Sequence, residues 1–472
     1  MSEKKLFSTK TFITLSVILF VFSIIAFEIS TSSVTFAVLK NKKTEQKADV
    51  YEMLEVFGKA FEITKERYVE EIDNKKLIEG AIDGMLTKLD PHSSFLNTEE
   101  FTEMIEQTSG AFGGLGIEVT MDSGVVKVIS PIDDSPAYKA GIQAGDLITH
   151  IDDVQVYGLT LNEAVKKMKG KPGTKVKLKI FRKNKEPFNV EITRDIIKTD
   201  PIKFKLKGKD KDVGYVRLAT FNENSFQSLK DIVTKTLSKN PKILGFVLDL
   251  RNNTGGLLDE AVKISDAFLE QGEIVSVIGR QKSDNRVFFA TGGDIINGKP
   301  LVVIINGASA SASEIVAGAL QDHKRAVIIG TKSYGKGSVQ TLIPMGNSAL
   351  KLTTAKYYTP TGRSIQADGI EPDVIVNVAK LEEFKEDRIF SESTLTNALK
   401  NDTKEKNQTK KDDKNDLKAE FEKQQEERED KDYQLNRAID FVRAISVYNT
   451  KPVTKTETNN VKDNKIAEKK KK

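Results

Sequence analysis

Three apolar runs in the middle of the chain, Tyr215–Leu218, Gly245–Leu250 and Leu301–Ile305, constrain the fold more than any other feature. Each is short and lacks the strict alternation of a half-exposed strand, so each suits a strand buried on both faces. Helix-period stretches follow them at Ser225–Leu237, Leu257–Leu269 and Ser313–Leu320. Alternating strand and helix is the pattern of crossover units and predicts an α/β core over residues 196–380.

The flanking segments read differently. Residues 48–105 are helical: Tyr51, Leu54, Val56, Phe57, Ala60, Phe61 and Ile63 recur near the 3.6 period, Leu77 to Leu89 repeats the pattern, and Asp90-Pro91 ends it. Residues 106–195 turn β-rich with glycine punctuation, with strands expected at Gly116–Thr120, Val125–Ile129, Asp146–Ile151, Lys175–Phe181 and Phe188–Ile192. Helices are expected there around Pro136–Ala140 and Leu161–Lys169. Residues 381–472 form a charged tail, solvated helix or disorder by composition. Within it Leu435, Ala438, Ile439, Phe441, Val442 and Ile445 make a stripe over 432–447 that needs a surface to dock on.

Residues 1–40 carry an uncharged run from Thr11 to Phe27 behind Lys4, Lys5 and Lys10. Its 17 residues are at the short limit for a bilayer span, where about 20 are usual. Read as an anchor, it leaves the lysines cytoplasmic and exports the rest; read as a signal segment, it is cleaved near Thr35-Phe36-Ala37. Either way the chain is directed to the cell envelope.

Composition removes several chemistries. The chain has no cysteine, which excludes disulfides, thiolate metal sites and a cysteine nucleophile. Its three histidines, His92, His150 and His323, are too few and too scattered for a histidine cluster. No cofactor or metal signature is present, and a formal charge of +5 demands no nucleic-acid partner. Oligomeric state stays open, a homo-oligomer included.

Four segments could carry chemistry. Asn306-Gly307-Ala308-Ser309-Ala310-Ser311-Ala312-Ser313-Glu314 joins a buried strand to a helix, where small residues permit a tight turn and the helix N-terminus offers unpaired amides to an oxyanion. Ser311-Ala312-Ser313-Glu314 also fits a capping box. In Gly335-Lys336-Gly337-Ser338-Val339-Gln340 a lysine sits between glycines beside a β-like run; along a strand, residues 336, 338 and 340 share a face, so Gln340 could hold Lys336. A lysine acts as a base only when neutral. Lowering its pKa from about 10.4 to near 7 costs roughly 4–5 kcal/mol and requires burial. The alternatives are a solvated loop lysine or a phosphate contact, although the Walker spacing is absent. Asp249-Leu250-Arg251-Asn252-Asn253-Thr254-Gly255-Gly256 ends another buried strand; its glycine pair could present amides to an anion or simply make a tight turn. Gly113-Gly114-Leu115-Gly116-Ile117 precedes an edge-like strand, where consecutive amides can nest a carboxylate and a peptide can extend the sheet.

Together these segments resemble the C-terminal processing peptidases, PDZ-bearing serine proteases, over roughly residues 50–380 and again at the 432–447 stripe. The resemblance implies a mixed α+β, crotonase-like α/β peptidase core with a β-rich PDZ domain inserted before it. It implies that Ser311 is the nucleophile and Lys336, 25 positions later, the base, a choice among three serines that chemistry alone leaves open. It implies a supporting role for Gln340, and oxyanion donors at Ala312 and at Gly255 or Gly256. Gly114, Leu115, Gly116 and Ile117 would bind the substrate C-terminus. Thr254 departs from the family's usual proline, which affects turn rigidity but leaves the amides in place. Leu89-Asp90-Pro91-His92-Ser93 also resembles a family segment, with His92 read as structural. Expected substrates are envelope polypeptides with apolar C-termini. Rival readings are a PDZ-bearing Ser-His-Asp protease using Asp322-His323, a non-catalytic scaffold that grips tails, and an acyl-CoA enzyme of crotonase type.

Overall fold

The computed structural model describes residues 49–132, 134–380 and 431–449. The N-terminal apolar run and most of the charged tail lie outside the described residues. Among the described residues no helix is long and apolar enough to cross a membrane.

The chain divides into two compact units, Met1–Met85 and Leu86–Lys472. In the first, helix α1 spans 49–67. Its periodic residues form the helix as expected, yet Tyr51, Leu54, Val56, Phe57 and Ile63 are exposed. Helix α2 (Asn74–Thr87) follows. Strand β1 (Ser94–Leu96) follows the expected Asp90-Pro91 stop, within the region read as helical. Its three residues carry no period, and β1 exists because it pairs with a strand some 250 residues away. Helix α3 (Thr98–Ser109) has a full capping box from Asn97 and Glu100 and stops at Gly110, whose φ of 65° is left-handed.

The β-rich module comes next. Strands β2 (Ala111–Gly114), β3 (Ile117–Asp122) and β4 (Val125–Pro131) lead to helix α4 (Pro136–Lys139), β5 (Leu147–Ile151) and β6 (Val154–Gln155). Helix α5 (Leu161–Met168) precedes β7 (Lys175–Phe181), β8 (Phe188–Thr193) and β9 (Asp195–Lys198). The sheet order β3-β4-β5-β7-β8 leaves β3 at an edge, while β2 pairs with β9 to bring the module's entry and exit together. Alternating residues of β7, Val176, Leu178 and Ile180, point into its core, as the period-2 pattern requires.

The α/β core opens with β10 (Ile202–Lys207), β11 (Val213–Leu218), helix α6 (Ser225–Lys239), β12 (Gly245–Asp249) and helix α7 (Leu258–Asp266). Then come β13 (Glu273–Gly279), β14 (Arg286–Phe289), β15 (Leu301–Ile305), helix α8 (Ala312–Asp322) and β16 (Val327–Gly330). Strands β17 (Ser338–Met345), β18 (Ser348–Tyr358) and β19 (Val374–Ile375) precede the last helix, α9 (Tyr433–Asn449). The main sheet runs β10-β11-β12-β15-β16-β19, with every pair parallel except antiparallel β10-β11. Val303 and Ile305 face one core with α6, α7 and α8; Val302 and Ile304 face a second with Leu435, Ala438, Ile439 and Val442 of α9. Burial on both faces explains why β15 reads as an unbroken apolar run. It also supplies the surface that the 432–447 stripe requires. A second sheet, β1-β18-β13-β14 with β17 on β18, has no counterpart in the sequence reading.

Candidate active site

Neighbouring parallel strands send their loops to the same edge of the sheet, which is where α/β folds place sites. Strands β12, β15 and β16 are consecutive in the sheet, with Ile305 opposite Gly330. The loops carrying Gly255-Gly256, Ser311 and Lys336 leave their C-terminal ends. Topology therefore gathers three segments that are far apart in sequence.

Among the three serines, geometry singles out one. The Ser309 hydroxyl donates to the Leu250 carbonyl at 2.8 Å, and the Ser313 hydroxyl donates to the Asn253 carbonyl at 2.9 Å; both residues are fully buried. Ser311 retains 7% exposure, stands at the N-cap of α8 without a side-chain cap bond, and has φ 56° and ψ −113°. That backbone lies outside the common basins and costs of order 1–3 kcal/mol. Its hydroxyl faces the phenol of Tyr357, which burial pushes up to about 12 despite the opposing pull of that contact.

Glu314, fully buried, connects the serine and lysine loops. One carboxylate oxygen accepts the Ser311 amide at 2.7 Å and the Lys336 amide at 2.9 Å. The other accepts the Gly335 amide and the Ser333 hydroxyl, both at 2.6 Å. The backbone nitrogens of Ser311 and Lys336 therefore lie within about two hydrogen-bond lengths of each other. Glycines permit this packing, for a Cβ on Gly337 would stand 2.4 Å from the Gln366 amide nitrogen. The Gln366 side chain accepts the Gly337 amide at 3.1 Å.

Burial first, and the Lys351 charge second, hold the Lys336 ammonium below the usual lysine range; Glu314 and Asp90 oppose this. Among the described residues no carboxylate forms an ion pair with Lys336. Lys336 lies ahead of β17 rather than within it, so the shared strand face does not apply. Gln340 lies on β17 opposite Thr353, beside a register shift, and its Nε2 donates to Ser338 at 2.9 Å and Thr353 at 3.2 Å.

At the glycine pair, a Cβ on Gly255 would meet Ser311 Cβ at 2.9 Å and the Ala312 nitrogen at 3.0 Å, and Gly255 has φ 103°. This loop touches the serine directly. The Gly255 amide donates to Asn253 Oδ1 at 2.9 Å. The amides of Gly256 and Ala312 have no hydrogen-bond partner among the described residues. The two turns are stitched together by Asn252 and Asn306, each bonding the other, and by the Ala310 amide on the Asn253 carbonyl at 3.0 Å.

His323 caps the far end of α8 and contacts the Glu273 carbonyl at 2.6 Å. An eleven-residue helix separates it from Ser311, about 16 Å along the axis. Asp322 is engaged by Arg363 and Thr361. Ser311, Asp322 and His323 therefore form no triad.

In the β-rich module the amides of Leu115 and Gly116 are also without partners among the described residues, while their carbonyls accept from Ala137 at 2.9 Å and Ile132 at 2.8 Å. Gly116, with φ 74°, is required here because a Cβ would come 2.3 Å from Ser135 Cβ. Edge strand β3 begins at Ile117. Gly114 ends β2 at the neck.

The profile of Peptidase family S41 matches residues 212–376. A carboxy-terminal-processing protease of Bartonella bacilliformis is 52% identical over 362 residues, covering 76% of this chain and 83% of the relative. The chain belongs to the carboxy-terminal-processing proteases of peptidase family S41. This S41 protein is accordingly a serine-type peptidase. It carries a PDZ domain matched over 113–193, and residues 19–100 match the activating protease CtpB N-terminal domain. The carboxy-terminal processing protease CtpA of Bacillus subtilis is 35% identical, covering 72% of this chain and 73% of that one. Among solved structures, the photosystem II D1 C-terminal processing protease is 31% identical, covering 68% of this chain and 92% of that chain at a TM-score of 0.40.

Sequence reasoning assigned Glu314 to a helix cap and missed its part in joining the two loops. The available signal was an acidic residue in the first turn of an otherwise small and apolar helix. Asn253, Thr353, Tyr357 and Gln366 gave no local signal at all.

Proposed function

We propose that this S41 protein is an endopeptidase in which Ser311 attacks the scissile carbonyl and neutral Lys336 takes its proton. The observation that carries the reading is the Glu314 carboxylate, which binds the amides of both residues while burial depresses the lysine. Gln340 turns its amide nitrogen toward two hydroxyls, leaving its carbonyl oxygen as the acceptor for Lys336. The amides of Ala312 and Gly256 stabilise the tetrahedral oxyanion, with Gly255 as the close-packed support. The acyl-enzyme on Ser311 is then hydrolysed by water.

The PDZ domain captures the substrate's C-terminus. The free amides of Leu115 and Gly116 take the carboxylate, and the chain pairs with β3 from Ile117 onward. Polypeptides with apolar C-termini fit this mode. Residues 1–40 place the enzyme in the cell envelope as an anchor or a cleaved signal, and the core belongs to the crotonase-like group. A scaffold that only grips tails would have no use for a strained serine beside a depressed lysine.

The test is cleavage of an unfolded reporter ending in apolar residues. Ser311→Ala and Lys336→Ala are expected to abolish cleavage while a labelled C-terminal peptide still binds. Undiminished cleavage by Lys336→Ala would sink the dyad.

A further inference from the structure

The loop between α2 and β1 lies outside every segment given a catalytic part so far, yet it is wired into the site. Asp90 accepts four hydrogen bonds: the amides of His92 and Ser93 at 2.8 and 2.9 Å, the Ser93 hydroxyl at 2.8 Å and the Thr353 hydroxyl at 3.1 Å. Burial raises its pKa, but those donors outweigh burial and hold the carboxyl below the usual range. Ser93, fully enclosed, accepts the Thr353 amide at 3.1 Å, and β1 continues along β18 with Ser94 opposite Lys351. Thr353 is in turn the residue opposite Gln340.

Hydrogen-bond polarity then propagates in one direction. An ionised carboxylate only accepts. A threonine hydroxyl has a single proton, and that proton goes to Asp90. Toward Gln340 the Thr353 oxygen can therefore only accept, so the end of the carboxamide facing it must be the NH₂. The Ser338 hydroxyl takes the second N–H. Both donors of Gln340 are thereby directed away from its carbonyl oxygen.

We propose that Asp90 is a positioning residue which, through Thr353, dictates which end of the Gln340 carboxamide is presented to Lys336. The proposal rests on the reading of Gln340 as the acceptor for Lys336. It gives the segment before the PDZ domain a part in the chemistry that acts through Thr353 and Gln340. An amide at position 90 would lose this control, because asparagine can offer either a donor or an acceptor. The Thr353 proton could then turn to Gln340, and the carboxamide could reverse.

The experiment uses the full chain and measures kcat and KM on an unfolded reporter, with thermal melts beside each variant. Asp90→Asn and Thr353→Val are expected to lower kcat about tenfold, with KM unchanged. Thr353→Ser keeps the hydroxyl and is expected to recover the rate lost in Thr353→Val. Asp90→Asn added to Gln340→Ala is expected to cost nothing further, because its target is gone. Multiplying losses in that double variant, or a serine variant as slow as the valine, would overturn the proposal. So would a normal kcat for Asp90→Asn alongside a slow Gln340→Ala. A normal kcat for Gln340→Ala would instead overturn the underlying reading of Gln340. Because Thr353→Val leaves Asp90 and its loop bonds in place, a misfolded Asp90→Asn does not rescue the idea.

Discussion

At the scale of single residues, Glu314 concentrates four donors on one buried carboxylate: the amides of Ser311, Gly335 and Lys336 and the hydroxyl of Ser333. Glu314→Gln keeps the volume but turns one acceptor into a donor that faces other donors. Losing a hydrogen bond to a charged group costs about 1.5–3 kcal/mol. Peptidase kcat is therefore expected to fall by roughly 10- to 100-fold, with less change in C-terminal peptide affinity. A steady-state assay paired with a peptide titration checks this; equal losses in both would show a global rather than a local effect. Lys336 makes a prediction of another kind. Its folded pKa lies below the ordinary lysine value, so between the two values the unfolded chain holds the extra proton and stability rises with pH. Below the folded value both states are protonated, and the fold bears the full cost of enclosing an ammonium. Lys336→Met should raise the melting temperature at pH 7, and the gain should shrink as pH approaches the ordinary lysine value. Melts at the two pH values decide; a gain independent of pH would mean the ammonium is not strained by burial.

At the scale of elements, α9 matters beyond covering the sheet. Leu435, Ala438, Ile439 and Val442 close the second core. At its N-terminal end Asp432 and Gln434 grip the Arg251 guanidinium at 2.7–3.0 Å, and Gln434 bonds the Val376 carbonyl at 2.7 Å. Arg251 is also clamped by Asp249, whose carboxylate accepts the Tyr215 hydroxyl at 2.8 Å. The loop that carries Gly255-Gly256 starts at this buried cluster, so the last helix braces that loop through one arginine. Leu435→Ala should destabilise the folded chain by about 2–5 kcal/mol, read as a lower urea midpoint with an unchanged slope. A midpoint equal to wild type would mean that α9 is not docked as described. The stripe was legible because its six apolar residues fall on one helical face; its partner was not, since nothing local marks Val302 and Ile304 as the surface it meets.

At the scale of the whole molecule, the PDZ domain leaves and re-enters the chain at the β2–β9 neck and is tied to α3 by the Lys169–Glu106 ion pair at 2.9 Å. The end of α3 is in turn bonded to the peptidase core, its Ser109 carbonyl accepting from Asn224 at 3.2 Å and its Thr108 carbonyl from the Glu223 amide at 3.1 Å. The PDZ domain, α3 and the peptidase core thus form one connected body. Gly116→Val places a branched side chain at φ 74° against Ser135, a clash worth roughly 1–3 kcal/mol. It should weaken C-terminal peptide binding and slow cleavage of tailed reporters, while a short peptide that bypasses the PDZ domain is cut at the normal rate. Loss of short-peptide cleavage as well would indicate that the domain governs the active site directly.

What the sequence determined by itself was whatever short-range physics controls. Double-sided burial writes an unbroken apolar run for β15, helical period writes α6 and α9, and small residues around a serine or a lysine advertise a tight turn next to a polar group. Tertiary structure decided which of those polar groups are free. Ser309 and Ser313 are consumed by carbonyls of a loop some 60 positions away, Gly255 by Asn253, and Gln340 is oriented from Asp90 across 250 residues of chain. A hydrogen-bonding group's availability depends on who its partner is, and partners in a folded chain are chosen by strand order and loop approach rather than by neighbours in sequence.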